Sequence, residues 1–222
     1  MLKNIIAIAI VLSMSSCLSS LHQLVTADRV ITDNRMAGEW QQNNNTSYII
    51  EELLTSDFFK STYRATVNGV EKNLGFDSIE DSLLYSKSYV ISFTRSGYRY
   101  TMIACLMNLD NELYADMIPV SATGTGSGNK NNVFDGADYL PSHTLAKIRF
   151  SEGAMEIKFL DGDFIKSQLK KGAIAVRYEN DNLFNTALIT ASSSGLQQFI
   201  IKYGRDDRLY NMSNTITLKK TR

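Results

Sequence analysis

Cysteine, proline and histidine are scarce in this chain of 222 residues, and neither sign of charge dominates. The chain has two cysteines, two prolines and two histidines, and its 23 basic residues balance 23 acidic ones. So few cysteines and histidines exclude a metal site built from several of them. The glycines match neither the dinucleotide-binding pattern nor the P-loop pattern, so no cofactor is expected. Zero net charge without a long basic run argues against nucleic acid as the main partner.

The chain also has no long apolar run. It has one short apolar run, near the N-terminus. Residues 5–14 are almost entirely apolar, follow Lys3 and end at Ser15-Ser16-Cys17. This run has about half of the roughly 20 residues that a membrane-spanning helix requires, so residues 1–16 are interpreted as a cleaved signal peptide. The stretch Met14-Ser15-Ser16-Cys17 resembles the lipobox of bacterial lipoproteins, which implies that Cys17 is acylated after cleavage.

The lipoprotein resemblance implies a location and an anchor. Acyl chains on Cys17 would hold the chain on a membrane of the cell envelope. Leu18 follows that cysteine, which points to the outer membrane, facing the periplasm. Residues 17–35 are polar and are predicted to form a lipidated tether, and residues 36–222 a single β-rich domain. The alternative is cleavage at another position, which would release a soluble protein.

Apolar and polar residues alternate with a period of two along much of the chain, which predicts a mainly β fold. The clearest hairpin joins residues 144–150 to 155–159 through Ser151-Glu152-Gly153, with Lys147 on the face expected to be exposed. Further strands are predicted at residues 63–67, 70–74, 88–94, 98–107, 113–120 and 215–219. The simplest topology is an antiparallel meander that forms a curved sheet or a barrel.

Two segments are predicted to form short helices. The first is capped by Asp161 or Asp163 and ends at Gly172. The second is capped within residues 192–194 and ends at Gly204. Each helix would pack one apolar face on the sheet.

Candidate catalytic groups are few. Because His22 lies in the predicted tether, a catalytic triad would have to use His143, and no Gly-x-Ser-x-Gly motif accompanies it. A hydrogen-bonded structural role is therefore favoured for His143. Cys105 lies in an apolar run and is predicted to be buried in a strand without a chemical role.

Paired carboxylates could in principle bind calcium or act in acid–base chemistry. Asp161 and Asp163 form one such pair, and Asp206 and Asp207 form another. Neither pair matches an EF-hand loop, so helix-capping, turn and solvated-loop roles are favoured for them.

The motif Gly38-x-Trp40 contains the only tryptophan of the chain and opens the region of strands. Glycine permits close approach of the backbone, and a tryptophan two residues later can plug one end of a barrel. This motif resembles the first signature of lipocalin-like proteins. The alternative is a core tryptophan on an ordinary first strand. Residues 190–210, with Pro141-Ser142-His143-Thr144 before them, resemble uncharacterised bacterial envelope lipoproteins.

Three functional hypotheses follow from this pattern. Many aromatic residues and few catalytic groups favour a non-catalytic envelope lipoprotein that binds a lipid, another apolar small molecule or a protein partner. The second hypothesis is a hydrolase that uses His143 and nearby carboxylates. The third is a structural accessory of a larger envelope complex.

Overall fold

A computed structural model describes residues 18–42, 46–67, 70–73, 78–125, 132–135, 142–181, 186–210 and 215–221. The signal peptide and Cys17 lie outside these residues. The strands are β1 (Ser19–Ser20), β2 (Gly38–Gln42), β3 (Thr46–Glu52), β4 (Arg64–Val67), β5 (Val70–Asn73), β6 (Tyr89–Arg95), β7 (Tyr98–Leu109), β8 (Glu112–Gly124), β9 (Asn132–Asp135), β10 (His143–Ser151), β11 (Ala154–Phe159), β12 (Tyr178–Asp181), β13 (Thr186–Ile189) and β14 (Ile216–Lys220). The α-helices are α1 (Asp57–Tyr63), α2 (Ile79–Ser86), α3 (Gly162–Lys170) and α4 (Ser193–Tyr203).

Eight antiparallel strands form a closed barrel. Its strands follow one another around the ring in chain order, β2-β3-β6-β7-β8-β10-β11-β14, and β14 pairs again with β2. Closure leaves no exposed sheet edge within the ring, which is the usual way in which an up-and-down barrel avoids edge pairing. The predicted meander and the lipocalin-like barrel are therefore confirmed, as are the predicted hairpins, including the β4–β5 pair.

Apolar side chains from all eight strands fill the barrel interior. Because alternate residues of a strand point to opposite faces, one set of positions faces inward and the other outward. The interior set contains Trp40, Tyr48, Ile50, Tyr89, Ile91, Ala104, Leu106, Leu113, Ala115, Met117, Ala146, Ile148, Met155, Ile157 and Leu218. An eight-stranded barrel is just wide enough for its own side chains to fill it or for one small ligand.

Residues 31–37 cross one end of the barrel, which we call the plugged end. Ile31 forms a β-bridge with Leu106, and the backbone of Asp33 both donates to and accepts from the Tyr89 hydroxyl. Met36 is fully buried in the interior. This end also carries the β7–β8 and β10–β11 turns, as the antiparallel pairing requires.

Trp40 lies at the plugged end, as the sequence predicted. It is buried, and its Nε1 donates to the Met36 carbonyl oxygen at 3.0 Å. Gly38 has a φ of +138°, a backbone conformation that residues other than glycine rarely adopt. The glycine of the Gly38-x-Trp40 motif is therefore required by the backbone at the start of β2.

The outer face of one half of the barrel is covered by a second apolar layer. This layer joins outward residues of β6, β7, β8 and β10, such as Ile103 and Leu145, to helix residues such as Phe199. Both predicted helices are present, with Asp161 accepting from the Phe164 amide and Ser192 from the Gly195 amide. The described residues also contain α1 and α2, which were not predicted. No helix within the described residues has the length and apolarity that crossing a membrane requires.

The prediction that residues 17–35 form a tether is wrong for the part that is described. Residues of β1 pair with β10 and β13, and Leu24, Val25 and Val30 are buried in the outer layer. The sequence pattern missed this because the segment is mostly irregular, and periodicity detects only helices and strands. Residues 18–35 are thus part of the fold.

Candidate functional site

Three aromatic rings lie in one row on the interior face of β3, β6 and β7. Register places Tyr48 opposite Phe93, and Phe93 opposite Tyr100. The ring centroids are 4.9 Å apart for the first pair and 5.1 Å for the second, with interplanar angles of 28° and 16°. These are stacked geometries, each contributing about 0.5–1.5 kcal/mol beyond burial of area. We call Tyr48, Phe93 and Tyr100 the aromatic row.

The aromatic row leads to the barrel end that carries the Ser96-Gly97 turn, opposite the plugged end. Tyr48 is buried, whereas Phe93 and Tyr100 are only partly buried. A flat apolar surface with partial access to solvent can stack against a ligand. The row therefore offers an apolar wall at a barrel end that residues 31–37 do not cross.

Polar groups lie beside the aromatic row. The Tyr48 hydroxyl donates to Gln42 Oε1 at 3.1 Å. Arg95 follows Phe93 by two positions on β6, so its side chain lies on the same face of the strand. Burial raises the pKa of Tyr48, and the positive charge of Arg95 opposes part of that rise. Binding sites for small molecules commonly combine an apolar wall with a few such polar groups.

His143 pairs with a buried carboxylate that the sequence did not single out. Its Nδ1 lies 2.7 Å from Oδ1 of Asp116, and both side chains are buried. This separation is that of a hydrogen bond between the imidazole ring and the carboxylate group. The predicted hydrogen-bonded state of His143 is confirmed, and its partner is Asp116.

The second oxygen of Asp116 holds the N-terminal segment. Oδ2 accepts hydrogen bonds from the backbone amides of Leu24 and Val25. Gln197 of α4 donates to the Leu24 carbonyl oxygen at 2.9 Å from the other side. A buried carboxylate is stable only when such donors replace water, so Asp116 joins the barrel to the segment that covers it.

Ser20 lies opposite His143 in the register of β1 and β10, so we asked whether it could be a catalytic nucleophile. Its hydroxyl instead donates to the His22 carbonyl oxygen at 2.8 Å. A nucleophile in a triad must donate to its histidine. The Ser20 hydroxyl therefore stabilises the irregular chain that follows β1. This hydrogen bond does not activate the hydroxyl oxygen as a nucleophile.

Lys147 is 1% exposed, so the prediction that it lies on an exposed face is wrong. Its Nζ lies 2.8 Å from Oε1 of Glu112 and 3.4 Å from the Gly204 carbonyl oxygen. The chain after α4 covers this part of the barrel, which alternation within β10 cannot reveal. The hydroxyl of Tyr210 donates to the same carbonyl at 3.0 Å and lies 3.3 Å from the Tyr114 hydroxyl.

The pKa values in this cluster follow from burial and charge. Desolvation raises the pKa of Glu112, but hydrogen bonds and charges from Lys147 and Arg149 outweigh it, so its pKa is lowered. Burial is the main reason that the pKa of Tyr114 and that of Tyr210 are raised. Glu112 is therefore ionised and both tyrosines are neutral near pH 7.

The remaining sequence-predicted residues are dispersed. Cys105 is buried beside Ser88, and burial raises the pKa of its thiol to about 12, so it is unreactive near neutral pH. Asp163 lies on the exposed side of α3. Asp206 begins a short 3-10 turn by accepting from the Arg208 amide, and Asp207 is the exposed first residue of that turn.

Sequence analysis missed the aromatic row and Asp116 for the same reason. Each side chain lies in a strand whose alternation was visible, but only the register between strands brings them together. In the part of the chain that the structure describes, no three histidine, cysteine or carboxylate side chains form a group that could hold a metal ion. Comparisons of this chain with protein-family models, curated proteins and solved structures found no match.

Proposed function

We propose that this chain is a non-catalytic binding protein of the bacterial cell envelope. Acyl chains on Cys17 anchor it to a membrane, the outer membrane on its periplasmic side, and it binds a lipid or another apolar small molecule against the aromatic row. The binding function rests on one observation, the stack of Tyr48, Phe93 and Tyr100 on the interior face of the barrel. Phe93 and Tyr100 retain partial exposure there, although aromatic side chains gain most by full burial.

The packing of the barrel supports a ligand at its end and not at its centre. Residues deeper in the barrel, such as Leu106, Ile148 and Met155, are 2% exposed or less. A bound apolar group would therefore stack on Phe93 and Tyr100 beside the Ser96-Gly97 turn. Arg95 would face an acidic or polar head group of the ligand.

The test uses the chain from residue 17 onward with Cys17→Ser and the fluorescent apolar probe N-phenyl-1-naphthylamine. Phe93→Ala or Tyr100→Ala removes one stacking partner, which should weaken probe binding by about 2-fold to 10-fold. Fluorescence titration measures the dissociation constants. Ile49→Ala is the matched control, because Ile49 is 44% exposed on the opposite face of β3.

Two results would contradict the binding proposal. One is a wild-type chain that does not increase probe fluorescence. The other is equal binding by the wild type, Phe93→Ala and Ile49→Ala. Circular dichroism of each variant checks that the fold is retained. Labelling of cells with radioactive palmitate, compared between wild type and Cys17→Ala, tests the anchor separately.

A hydrolase is the second candidate, and the contact between His143 and Asp116 favours it. In a catalytic triad, too, the carboxylate pairs with Nδ1 of the histidine. Hydrolysis of p-nitrophenyl butyrate by the wild type and by His143→Ala tests the idea. Activity that His143→Ala abolishes without unfolding would support the hydrolase, whereas no difference would leave the pair with a structural role.

A further inference from the structure

The described residues begin inside the fold, directly after Cys17 in the sequence. Leu18 is 3% exposed, and the next two residues form β1, which pairs with β10 and in parallel with β13. Consecutive Cα atoms are about 3.8 Å apart. An acylated Cys17 would therefore hold the protein surface around β1 and β13 against the membrane without a spacer.

A groove rich in lysine lies close to that surface. Helix α3 packs beside β13, the strand that pairs with β1. The groove along α3 has a volume of about 360 Å³ and is lined by Asp163, Lys166, Ser167, Lys170 and Lys171. It thus has three cationic groups and one carboxylate.

The two terminal lysines of the groove are available to a partner. Lys170 and Lys171 are exposed, and neither forms an ion pair with any of the described residues. Lys166 is 6% exposed and lies in the wall of the groove. Arg177 is also exposed, and its carbonyl oxygen accepts from the Thr190 amide directly after β13. β12 carries the acidic residues Glu179 and Asp181, of which Glu179 is opposite Leu188 of β13 in the register.

We infer that the α3 groove binds the anionic head groups of the membrane to which Cys17 anchors the chain. This inference rests on the acyl anchor of the proposed function. Each basic residue near an anionic lipid surface strengthens association about fivefold. Because the anchor already confines the protein to the membrane, binding of head groups in the groove has only to fix its orientation. The groove would thereby set which side of the barrel faces the lipid.

The experiment measures flotation of the chain from residue 17 onward, carrying Cys17→Ser, with lipid vesicles at low ionic strength. One set of vesicles contains phosphatidylcholine alone, and the other contains equal parts of phosphatidylcholine and phosphatidylglycerol. We expect binding to the anionic vesicles only. The double variant Lys170→Gln/Lys171→Gln should weaken that binding by about tenfold or more.

The matched control is Lys60→Gln/Lys202→Gln, which removes two exposed lysines from α1 and α4. It should leave vesicle binding within about twofold of wild type. An equal loss of vesicle binding in the two double variants would mean that only the net charge of the protein matters, and this would overturn the inference. A wild-type chain that does not bind anionic vesicles would also overturn it. Palmitate labelling in cells, with Cys17→Ala as the comparison, reports separately on whether the anchor exists.

Discussion

Gly204 ends α4 at a position where no side chain fits. A Cβ at this residue would lie 2.5 Å from the Ile200 carbonyl oxygen and 2.7 Å from the Tyr114 hydroxyl. Its own carbonyl oxygen accepts from Tyr210 and Lys147. The sequence predicted Gly204 as a helix end, but the close approach of β8 that requires glycine depends on tertiary packing.

Gly204→Ala should lower the free energy of unfolding by about 1–3 kcal/mol, because the new methyl group overlaps backbone and a buried hydroxyl. Denaturant titration of the two proteins measures the difference. Gly195→Ala is the control in the same helix, since its Cβ would lie 3.3 Å from the Ala191 methyl group at the nearest. It should change stability by less than about 1 kcal/mol. Equal effects would contradict the steric explanation.

Glu112 gives the protein an acid-sensitive contribution to stability. Its pKa is lowered in the folded state relative to 4.5. Its contribution is therefore complete above about pH 4.5 and disappears as the pH falls through the lower folded value. Between these values, thermal unfolding of wild type should depend more steeply on pH than that of Glu112→Gln. Parallel pH profiles of the two proteins would show that Glu112 contributes nothing.

At the scale of elements, the sequence predicted what alternation and capping specify. The β10–β11 hairpin and both capped helices are present because their signals are local. Helix α2 was missed although Ser78 accepts from the Asp81 amide in an ordinary N-cap, because Ile79 and Leu83 give it an exposed apolar side. The aromatic row and the pair of His143 and Asp116 could not be predicted, because they depend on which strands become neighbours.

The ion pair of Lys147 with Glu112 fastens the chain after α4 to β8 and β10. Lys147→Met should change the free energy of unfolding by less than about 1 kcal/mol, because an apolar side chain of similar length avoids the cost of a buried charge. The Gly204 carbonyl oxygen keeps the Tyr210 hydroxyl as its donor. Glu112→Gln should cost more, about 1–2 kcal/mol, because it leaves the buried ammonium without its carboxylate.

Chemical denaturation at pH 7 measures the free energies of unfolding of Lys147→Met and Glu112→Gln and shows which variant is the more stable. The explanation fails if Lys147→Met is the less stable protein. Arg149→Met serves as the control, because Arg149 is 43% exposed in its contact with Glu112 and such pairs contribute little.

At the scale of the whole molecule, the N-terminal segment behaves as part of the barrel's cover. Leu24 is fully buried, and its backbone is held by Asp116 and Gln197. Composition suggested a tether because polar residues outnumber apolar ones there. The few apolar residues of this segment nevertheless determine where it lies, because their side chains are buried in the outer apolar layer.

Leu24→Ala should therefore lower the free energy of unfolding by about 2–5 kcal/mol, the usual cost of emptying a buried leucine site. Arg29→Ala, an exposed change in the same segment, should have almost no effect. Thermal unfolding followed by circular dichroism compares the two. If residues 18–35 acted only as a tether, both substitutions would be neutral.

The hydrogen bonds of Leu24 also impose an order on folding. Its amide bonds to a residue 92 positions later in the chain, and its carbonyl to one 173 positions later. A segment near the start of the chain thus depends on one near its end, so it can dock only when nearly the whole chain is available. Contacts of such high sequence separation form slowly, so we expect docking of this segment to be a late step of folding.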